Sequence, residues 1–178
     1  MELEKKSLQQ IIDHRIEKLN KIRASGHNPY AYNYDKTHDL KDIIEKGEQI
    51  IGKIVRTAGR IVSQRKMGKA CFIHIQDLNG KIQLYLKNDS LPDNIYDEIV
   101  RNLDLGDIIG CCGEIFYTKT EELSIKVNDL NILSKNIRPL PNLKEKEGIA
   151  FNAFEDKELR YRHRQLDLIV NPDVKDVF

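Results

Sequence analysis

The chain has 178 residues, 40% of them hydrophobic and 32% charged, a length and composition that suit one compact soluble domain with extensions. The formal net charge of +1 argues against binding dominated by bulk positive charge, so any affinity for nucleic acid must be local. No apolar run reaches the roughly 20 residues of a membrane span, and the polar start lacks the apolar stretch of a signal peptide. We therefore expect a cytoplasmic protein with no membrane partner.

The cysteines and histidines do not form a metal-binding pattern. Cys71, Cys111 and Cys112 lack C-x-x-C spacing, and the five histidines form no H-E-x-x-H motif. We expect no metal site, and we expect the thiols to be small buried side chains in strands.

Two helices are predicted at the N-terminus. Ser7 and Gln10 have the spacing of a capping box, and Gly26 is placed to end the first helix. A second helix is predicted over about 37–46, with Gly47 after it. The first helix should pack on the protein's own body or on a partner subunit through its apolar stripe, which consists of Leu8, Ile11, Ile12, Ile16, Leu19 and Ile22.

From Ile50 to about Leu133 the apolar residues recur with period two, which predicts five strands. The second and third strands should be joined by a type I′ turn at Asn79-Gly80, which would place Gln76 opposite Gln83. The same register pairs Ile75 with Leu84 and His74 with Tyr85. The predicted strands are Ile51 to Ser63, Ala70 to Asp77, Lys81 to Leu86, Asp107 to Tyr117 and Leu123 to Leu133.

A helix is predicted between the third and fourth strands, from Leu91 to Leu103, with Pro92 in its first turn. Three strands, a helix and two more strands is the order of an oligonucleotide-binding (OB) barrel. A plain antiparallel meander with one helix has the same pattern and stays open as the alternative.

A domain boundary is predicted near the stiff segment Arg138-Pro139-Leu140-Pro141, which precedes the charged residues 142–147. The predicted divisions are a helical extension over 1–49, the barrel over 50–136, and a linker with the start of a further domain over 137–178. The charged stretch 156–169 ends before Asn171-Pro172, which is typical of the entrance to another helix, so we expect the chain to be a truncated protein.

Alternation assigns the side chains of the second and third strands to two faces. Ile73, Ile75, Ile82, Leu84 and Leu86 should fill the barrel. The outward set is Phe72, His74, Gln76, Gln83 and Tyr85. On the fifth strand, the outward set is Glu122, Ser124 and Lys126, and the inward set is Leu123, Ile125 and Val127.

An outward Phe on a polar strand is unusual, and it suits the stacking of an unpaired base. The nearby amides and carboxylate could read the edge of a base, and cations could meet phosphate. The competing interpretation is that a loop covers Phe72 and that the cations form a solvated face; the pattern alone does not decide between the two. The cations are Arg60, Arg65, Lys66 and Lys69.

Several motifs resemble the anticodon-binding region of class II lysyl-tRNA synthetases. They are Ala58-Gly59-Arg60, the run 65–72, Ile75-Gln76-Asp77, the run 80–85, 104–107, 118–120, 122–125, 138–141, 160–164 and 166–169. The aspartyl and asparaginyl enzymes share the barrel, but Met67-Gly68-Lys69 and the run 160–169 look specifically lysyl. His163-Arg164-Gln165 departs from the family pattern, within a tract expected to join the barrel to a catalytic domain.

The resemblance implies a mainly β fold with helices: a five-stranded OB barrel, an N-terminal amphipathic helix and a C-terminal linker toward a catalytic domain that is missing here. It implies that Phe72 stacks on an anticodon base, that Gln83 reads uridines and that Glu122 hydrogen-bonds to the anticodon. Arg65 resembles an anticodon-contacting arginine, and Arg60 is a weaker candidate. Further candidates from the outward face are His74, Gln76, Tyr85 and Lys69.

The resemblance also implies the chemistry of a longer parent enzyme. That enzyme would join lysine to its tRNA using ATP and magnesium, as a homodimer, whereas this segment would recognise the tRNA-Lys anticodon stem-loop and hold neither a catalytic site nor a cofactor. One alternative is a free-standing, non-catalytic module that binds single-stranded RNA. Another is a structural interaction barrel with no affinity for RNA.

Overall fold

A computed structural model describes residues 7–68, 70–92, 94–141, 143–146, 149–152, 156–171 and 174. The chain divides into two compact units, Met1–Ile137 and Arg138–Phe178. The first unit contains the N-terminal helices together with the barrel. The finer division at residue 50, between a helical extension and a barrel domain, stays a prediction.

Five strands of the first unit form a closed barrel in the order β1-β2-β3-β5-β4. The β3–β5 pairing is parallel and the other pairings are antiparallel. An antiparallel meander would have no parallel pair, so the OB barrel is confirmed and the meander is wrong. The strands are β1 (Ile54–Met67), β2 (Ala70–Gln76), β3 (Lys81–Lys87), β4 (Ile108–Tyr117) and β5 (Leu123–Ser134).

The barrel interior holds the side chains that alternation predicted. Those of β2 and β3 are at most 3% exposed: Ile73, Ile75, Ile82, Leu84 and Leu86. A bulge in the β4–β5 pairing changes the inward positions of β5, so that Leu130 and Ile132 follow Ile125 and Val127 into the core.

Two of the three thiols belong to this core. Cys71 and Cys111 are fully buried, as predicted, and Cys112 is half-buried. Burial raises the pKa of the Cys111 thiol to about 12, so it stays protonated and inert near neutral pH.

The β2–β3 turn differs from its prediction. Asp77 is paired with Gly80 through its backbone amide, so the turn residues are Leu78 and Asn79, not Asn79 and Gly80. Asp77 Oδ1 accepts hydrogen bonds from the amides of Asn79 and Gly80 at 2.9 and 2.8 Å. The side chain thus stabilises a turn that needs no positive φ at either residue, and the type I′ prediction is wrong.

Because the turn lies one residue earlier than predicted, the pairing register of β2 and β3 differs from the predicted one by two residues. His74 lies opposite Gln83, and Phe72 lies opposite Tyr85. The shift covers an even number of residues, so every side chain keeps its predicted face. Gly80 is needed for packing instead, because a Cβ there would lie 2.9 Å from the Cβ of Leu40.

The first helix, α1 (Leu8–Ala24), begins with the predicted capping box between Ser7 and Gln10. In its C-terminal half Leu19 and Ile22 are buried and Ile22 joins the hydrophobic core, whereas Leu8 and Ile16 are 49% and 39% exposed. The second helix, α2 (Leu40–Lys46), begins later than predicted, after Asp39, and a single 3₁₀ turn follows it.

The connection between β3 and β4 is not the single helix predicted over residues 91–103. It contains α3 (Ile95–Glu98) and short 3₁₀ turns at Asn88–Ser90 and Val100–Asn102. Asn94 has a φ of 69° and Ile99 a φ of −106°, and these backbone angles interrupt a continuous helix. The apolar residues still pack into the core: Tyr96, Ile99, Val100 and Leu103.

The segment between α1 and α2 crosses the outside of β1 and β4. The amide of Thr37 donates to the backbone oxygen of Arg56 at 2.9 Å. The ring of Tyr34 lies over Gly110, where a Cβ would come within 2.5 Å of the ring. The N-terminal segment therefore covers the β1–β4 side of the barrel.

Buried charges tie α1 to the base of the barrel. Lys135, whose side chain is fully buried, lies 2.7 Å from Asp107 Oδ2 and 2.6 Å from Asp104 Oδ2. Lys18 of α1 reaches the other oxygen of Asp104 at 2.5 Å. Burial raises the pKa of Asp104, but the hydrogen bonds from Lys135 and Lys18 outweigh it and leave that pKa below its usual value.

In the second unit, β6 (Leu143–Lys146) and β7 (Ile149–Asn152) form an antiparallel pair where the sequence predicted only a charged linker. The helices α4 (Lys157–Arg162) and α5 (Arg164–Val170) follow, and Asp156 caps the first of them. Pro172, in the predicted entrance to a further helix, lies outside the described residues.

Candidate nucleic-acid interface

The outward face of the barrel places two rows of side chains across neighbouring strands. The stacking row contains Arg65, Phe72, Tyr85 and Lys126, which are successive cross-strand partners on β1, β2, β3 and β5. The polar row lies two residues along each strand from the stacking row and contains Ser63, His74, Gln83 and Ser124. Phe116 on β4 lies opposite Ser124, at the end of this row.

Three half-buried aromatic rings adjoin one another on this face. The ring centroids of Phe72 and Tyr85 are 5.1 Å apart with an interplanar angle of 37°. Those of Tyr85 and Phe116 are 6.1 Å apart at 57°. Such a surface can hold unpaired bases by stacking, because every base has a π face.

Sequence reasoning missed Phe116, although the signal was present. Ile115 points into the barrel, so its neighbour must point out, and this is the same reasoning that selected Phe72.

A hydrogen-bonded chain runs along the polar row. Glu122, which immediately precedes β5, accepts hydrogen bonds from His74 Nε2 at 2.9 Å on one carboxylate oxygen and from Gln83 Nε2 at 2.6 Å on the other. His74 Nδ1 lies 2.8 Å from Ser63 Oγ. Four strands or their ends thus contribute to one polar group next to the aromatic rings.

Gln83 points outward as predicted but is only 8% exposed, because its neighbours cover it. Ser124 is fully buried, and its hydroxyl lies 3.1 Å from Gln83 Oε1 and 3.1 Å from the backbone oxygen of Glu122. The Glu122 side chain is 45% exposed and is therefore more accessible than its hydrogen-bond partner Gln83.

The barrel matches a known family of nucleic-acid-binding domains. The family described as OB-fold nucleic acid binding domain matches residues 55–133, which contain both rows. Residues 55–133 are thus similar to the OB-fold nucleic-acid-binding family. The OB-fold domain carries Arg60, Arg65, Phe72, His74, Gln76, Gln83, Tyr85 and Glu122.

Relatives of known name match almost the whole chain. A lysine–tRNA ligase of Carboxydothermus hydrogenoformans is 42% identical over 176 residues, which are 99% of this chain and 34% of that protein. Those of Thermoanaerobacter sp. strain X514 and Fusobacterium nucleatum are 44% and 43% identical over 96% and 94% of this chain and 33% and 32% of the relative. The resemblance to lysyl-tRNA synthetases is confirmed, and the chain spans about a third of the length of these relatives.

The cations of the OB-fold domain differ in their surroundings. Arg65 is exposed beside Phe72, where a phosphate could reach it. Arg60 is half-buried and donates from its guanidinium to the backbone oxygen of Gly106 at 2.8 Å, and burial lowers its pKa. Lys66 donates to the backbone oxygen of Arg101 at 3.1 Å.

The remaining candidates lie at the margins of the two rows. Gln76 pairs with Arg60 on β1 and with Lys81 on β3, one step beyond the polar row. Lys69 lies outside the described residues.

Within the part of the chain that the structure describes, no group of three or more histidine, cysteine, aspartate or glutamate side chains is placed to hold a metal ion. No described helix is long and apolar enough to cross a membrane.

Proposed function

We propose that this chain is the anticodon-reading part of a lysine–tRNA ligase, and that its two rows bind the anticodon loop of tRNA-Lys. The observation that carries the proposal is the adjacency of the Phe72–Tyr85 ring pair to the Gln83–Glu122 hydrogen-bonded pair on one face of an OB-fold domain. Stacking surfaces next to edge-reading polar groups are what recognition of single-stranded RNA requires. The names of the relatives supply the choice of tRNA.

Each row has a separate task in the proposed complex. The rings of Phe72 and Tyr85 hold unpaired bases, and Arg65 meets a backbone phosphate. Gln83 and Glu122 read a base edge, because uracil offers both a carbonyl acceptor and an imino donor. A lysine anticodon is rich in uridine, so this combination suits it.

The complete protein would use this recognition to position its tRNA for lysylation. We propose that it is a cytoplasmic homodimer that activates lysine with ATP and magnesium, through the part of the relatives' length that this chain does not span. Contacts at the anticodon would dock the tRNA so that its acceptor end meets the distant active site, and a wrong anticodon would weaken both docking and transfer.

A fluorescence titration with a lysine anticodon stem-loop tests the proposal. Phe72→Ala should weaken binding by about 1–3 kcal/mol, roughly fivefold to 150-fold in Kd, because one stacking contact is lost. Tyr32→Ala is the matched control, since Tyr32 is a fully exposed aromatic residue on the N-terminal segment, and it should leave the Kd unchanged.

A second stem-loop, with its middle uridine replaced, measures selectivity. The proposal predicts tighter binding of the unaltered loop by the unmodified chain. Equal affinity for the two loops, or a Phe72→Ala variant that binds as well as the Tyr32→Ala control, would contradict it.

A further inference from the structure

The hydrogen bonds around Glu122 have a fixed direction. An ionised carboxylate has no proton to donate, so both of its side-chain neighbours must donate to it. His74 therefore carries a proton on Nε2, and Gln83 turns its amide nitrogen toward Glu122. This direction follows from the chemistry of the three groups.

Glu122, and not Ser124, sets the orientation of the Gln83 amide. The Ser124 hydroxyl could donate to the amide oxygen or accept from the amide nitrogen, so on its own it allows both orientations. With Glu122 in place, the reversed amide would hold two acceptor oxygens at about the 2.6 Å now spanned by a hydrogen bond. Gln83 is only 8% exposed, so its amide has little room to turn away from that repulsion.

His74 in turn keeps Glu122 in place. The Glu122 side chain is 45% exposed and could rotate into solvent, whereas the His74 side chain is 25% exposed. The imidazole bridges two strand positions: Nε2–H donates to Glu122, and Nδ1 is anchored at 2.8 Å to Ser63 Oγ on β1. Loss of the imidazole would release the carboxylate, and with it the constraint on Gln83.

We propose that His74 is a positioning residue that fixes the donor and acceptor order of the Gln83–Glu122 pair and so sets its preference for uracil over cytosine. This inference rests on the proposed function and deepens it. The pair presents an amide donor on Gln83 next to an acceptor on Glu122.

Uracil and cytosine differ in the order that the pair reads. For a ring held in one position by stacking, uracil places its N3–H donor toward Glu122 and its O4 carbonyl, an acceptor, toward Gln83. Cytosine in the same position has an acceptor at N3 and a donor amino group in place of the O4 carbonyl. Both contacts are then mismatched, unless the carboxylate swings away and the amide reverses.

The experiment compares two stem-loops that differ only in uridine or cytidine at the middle anticodon position, titrated against the 178-residue chain. The measured quantity is the selectivity for uridine, which is the Kd for the cytidine loop divided by the Kd for the uridine loop. His74→Leu should reduce this ratio roughly threefold to tenfold, the loss of about one hydrogen bond's worth of discrimination. His74→Gln keeps an N–H donor directed at Glu122 and should restore most of the ratio.

Two further variants separate positioning from general damage. His14→Leu makes the same substitution on the exposed surface of α1 and should leave the ratio unchanged. Ser63→Ala removes only the anchor of Nδ1 and should reduce the ratio by less than His74→Leu, so it also decides the question if His74→Leu fails to fold.

The outcomes distinguish the inference from the proposal beneath it. If the unmodified chain binds neither loop, or both equally, the proposed function fails. If the unmodified chain selects uridine, and folded His74→Leu or Ser63→Ala selects it equally well, anticodon reading stands and the role of His74 is refuted.

Discussion

Two arginines of β1 lie on the outward face of the barrel and have different partners. Arg60 is half-buried and holds the backbone of Gly106, next to the loop that leads into β4. Arg65 is exposed at the edge of the stacking row. Sequence reasoning treated both as contacts to RNA, whereas the geometry gives Arg60 a structural contact.

Arg60→Ala should therefore affect mainly the stability of the fold, and Arg65→Ala mainly the binding of RNA. Arg60→Ala removes a partly buried hydrogen bond and the packing of its stem, and should lower the free energy of unfolding by about 1–2 kcal/mol. Arg65→Ala should leave stability within about 0.5 kcal/mol. It should weaken RNA binding and reduce the slope of log K against log salt by about 0.7, the loss of one phosphate contact.

Chemical denaturation and RNA titration at several salt concentrations measure both quantities. An Arg60→Ala variant with full stability and a reduced salt slope would reverse the assignment of the two arginines.

Much of the candidate site was predictable from residue type and alternation. Phe72, Tyr85 and His74 point outward because their neighbours are apolar and fill the barrel. The covering of Gln83 was not predictable, because it depends on Glu122 and Ser124, which are distant in sequence and reach it through the β3–β5 pairing.

At the scale of elements, β4 and β5 approach closely at a bulge. A Cβ at Gly113 would lie 2.3 Å from the backbone oxygen of Lys126, whereas the three atoms nearest to a Cβ at Gly110 all belong to the ring of Tyr34. A side chain can move aside, but a strand in a closed barrel cannot move without breaking its pairings. The two glycines therefore differ in what a substitution would cost.

Gly113→Ala should lower the free energy of unfolding by about 3 kcal/mol or more, and Gly110→Ala by about 1–2 kcal/mol. In a Tyr34→Ala background, Gly110→Ala should cost almost nothing, whereas Gly113→Ala should keep its full effect. Urea denaturation of the single and double variants measures these values. Equal costs for the two glycines would contradict the steric argument.

The strands were easier to predict than the turns and short helices. Alternating β-branched residues identified all five barrel strands, because burial of one face enforces the period of two. The β2–β3 turn was misplaced because the carboxylate of Asp77 competes with the Asn-Gly signal. The helix over residues 91–103 was overextended because a backbone break such as that at Asn94 leaves the apolar pattern unchanged.

At the scale of the whole first unit, α1 is joined to the barrel through charge as well as apolar packing. Asp104 bridges Lys18 of α1 and Lys135 of the barrel, and its pKa is lowered by these partners despite burial. A carboxyl whose pKa is lower in the folded state stabilises that state above its unfolded pKa. This contribution is lost as the pH falls through the folded value.

Asp104→Asn should lower the free energy of unfolding by about 1.5–3 kcal/mol at pH 7, because Lys18 loses its carboxylate partner and Lys135 is left with Asp107. The difference between the parent chain and the variant should shrink as the pH falls below the usual aspartate value of 3.8. Urea denaturation between pH 7 and pH 3 measures it. A difference that stays constant with pH would show that Asp104 does not act through its charge.

The closed order of the barrel also constrains how the chain can fold during synthesis. The second edge of β1 is paired by β4, and the second edge of β3 is paired by β5. Both edges therefore stay unpaired until strands that leave the ribosome much later have been made. Until then, the nascent β1–β3 sheet has unpaired edges and an uncovered apolar face that includes Ile73 and Leu84. High contact order of this kind slows folding, so we expect the nascent barrel to keep this apolar face and these strand edges exposed until β5 has emerged.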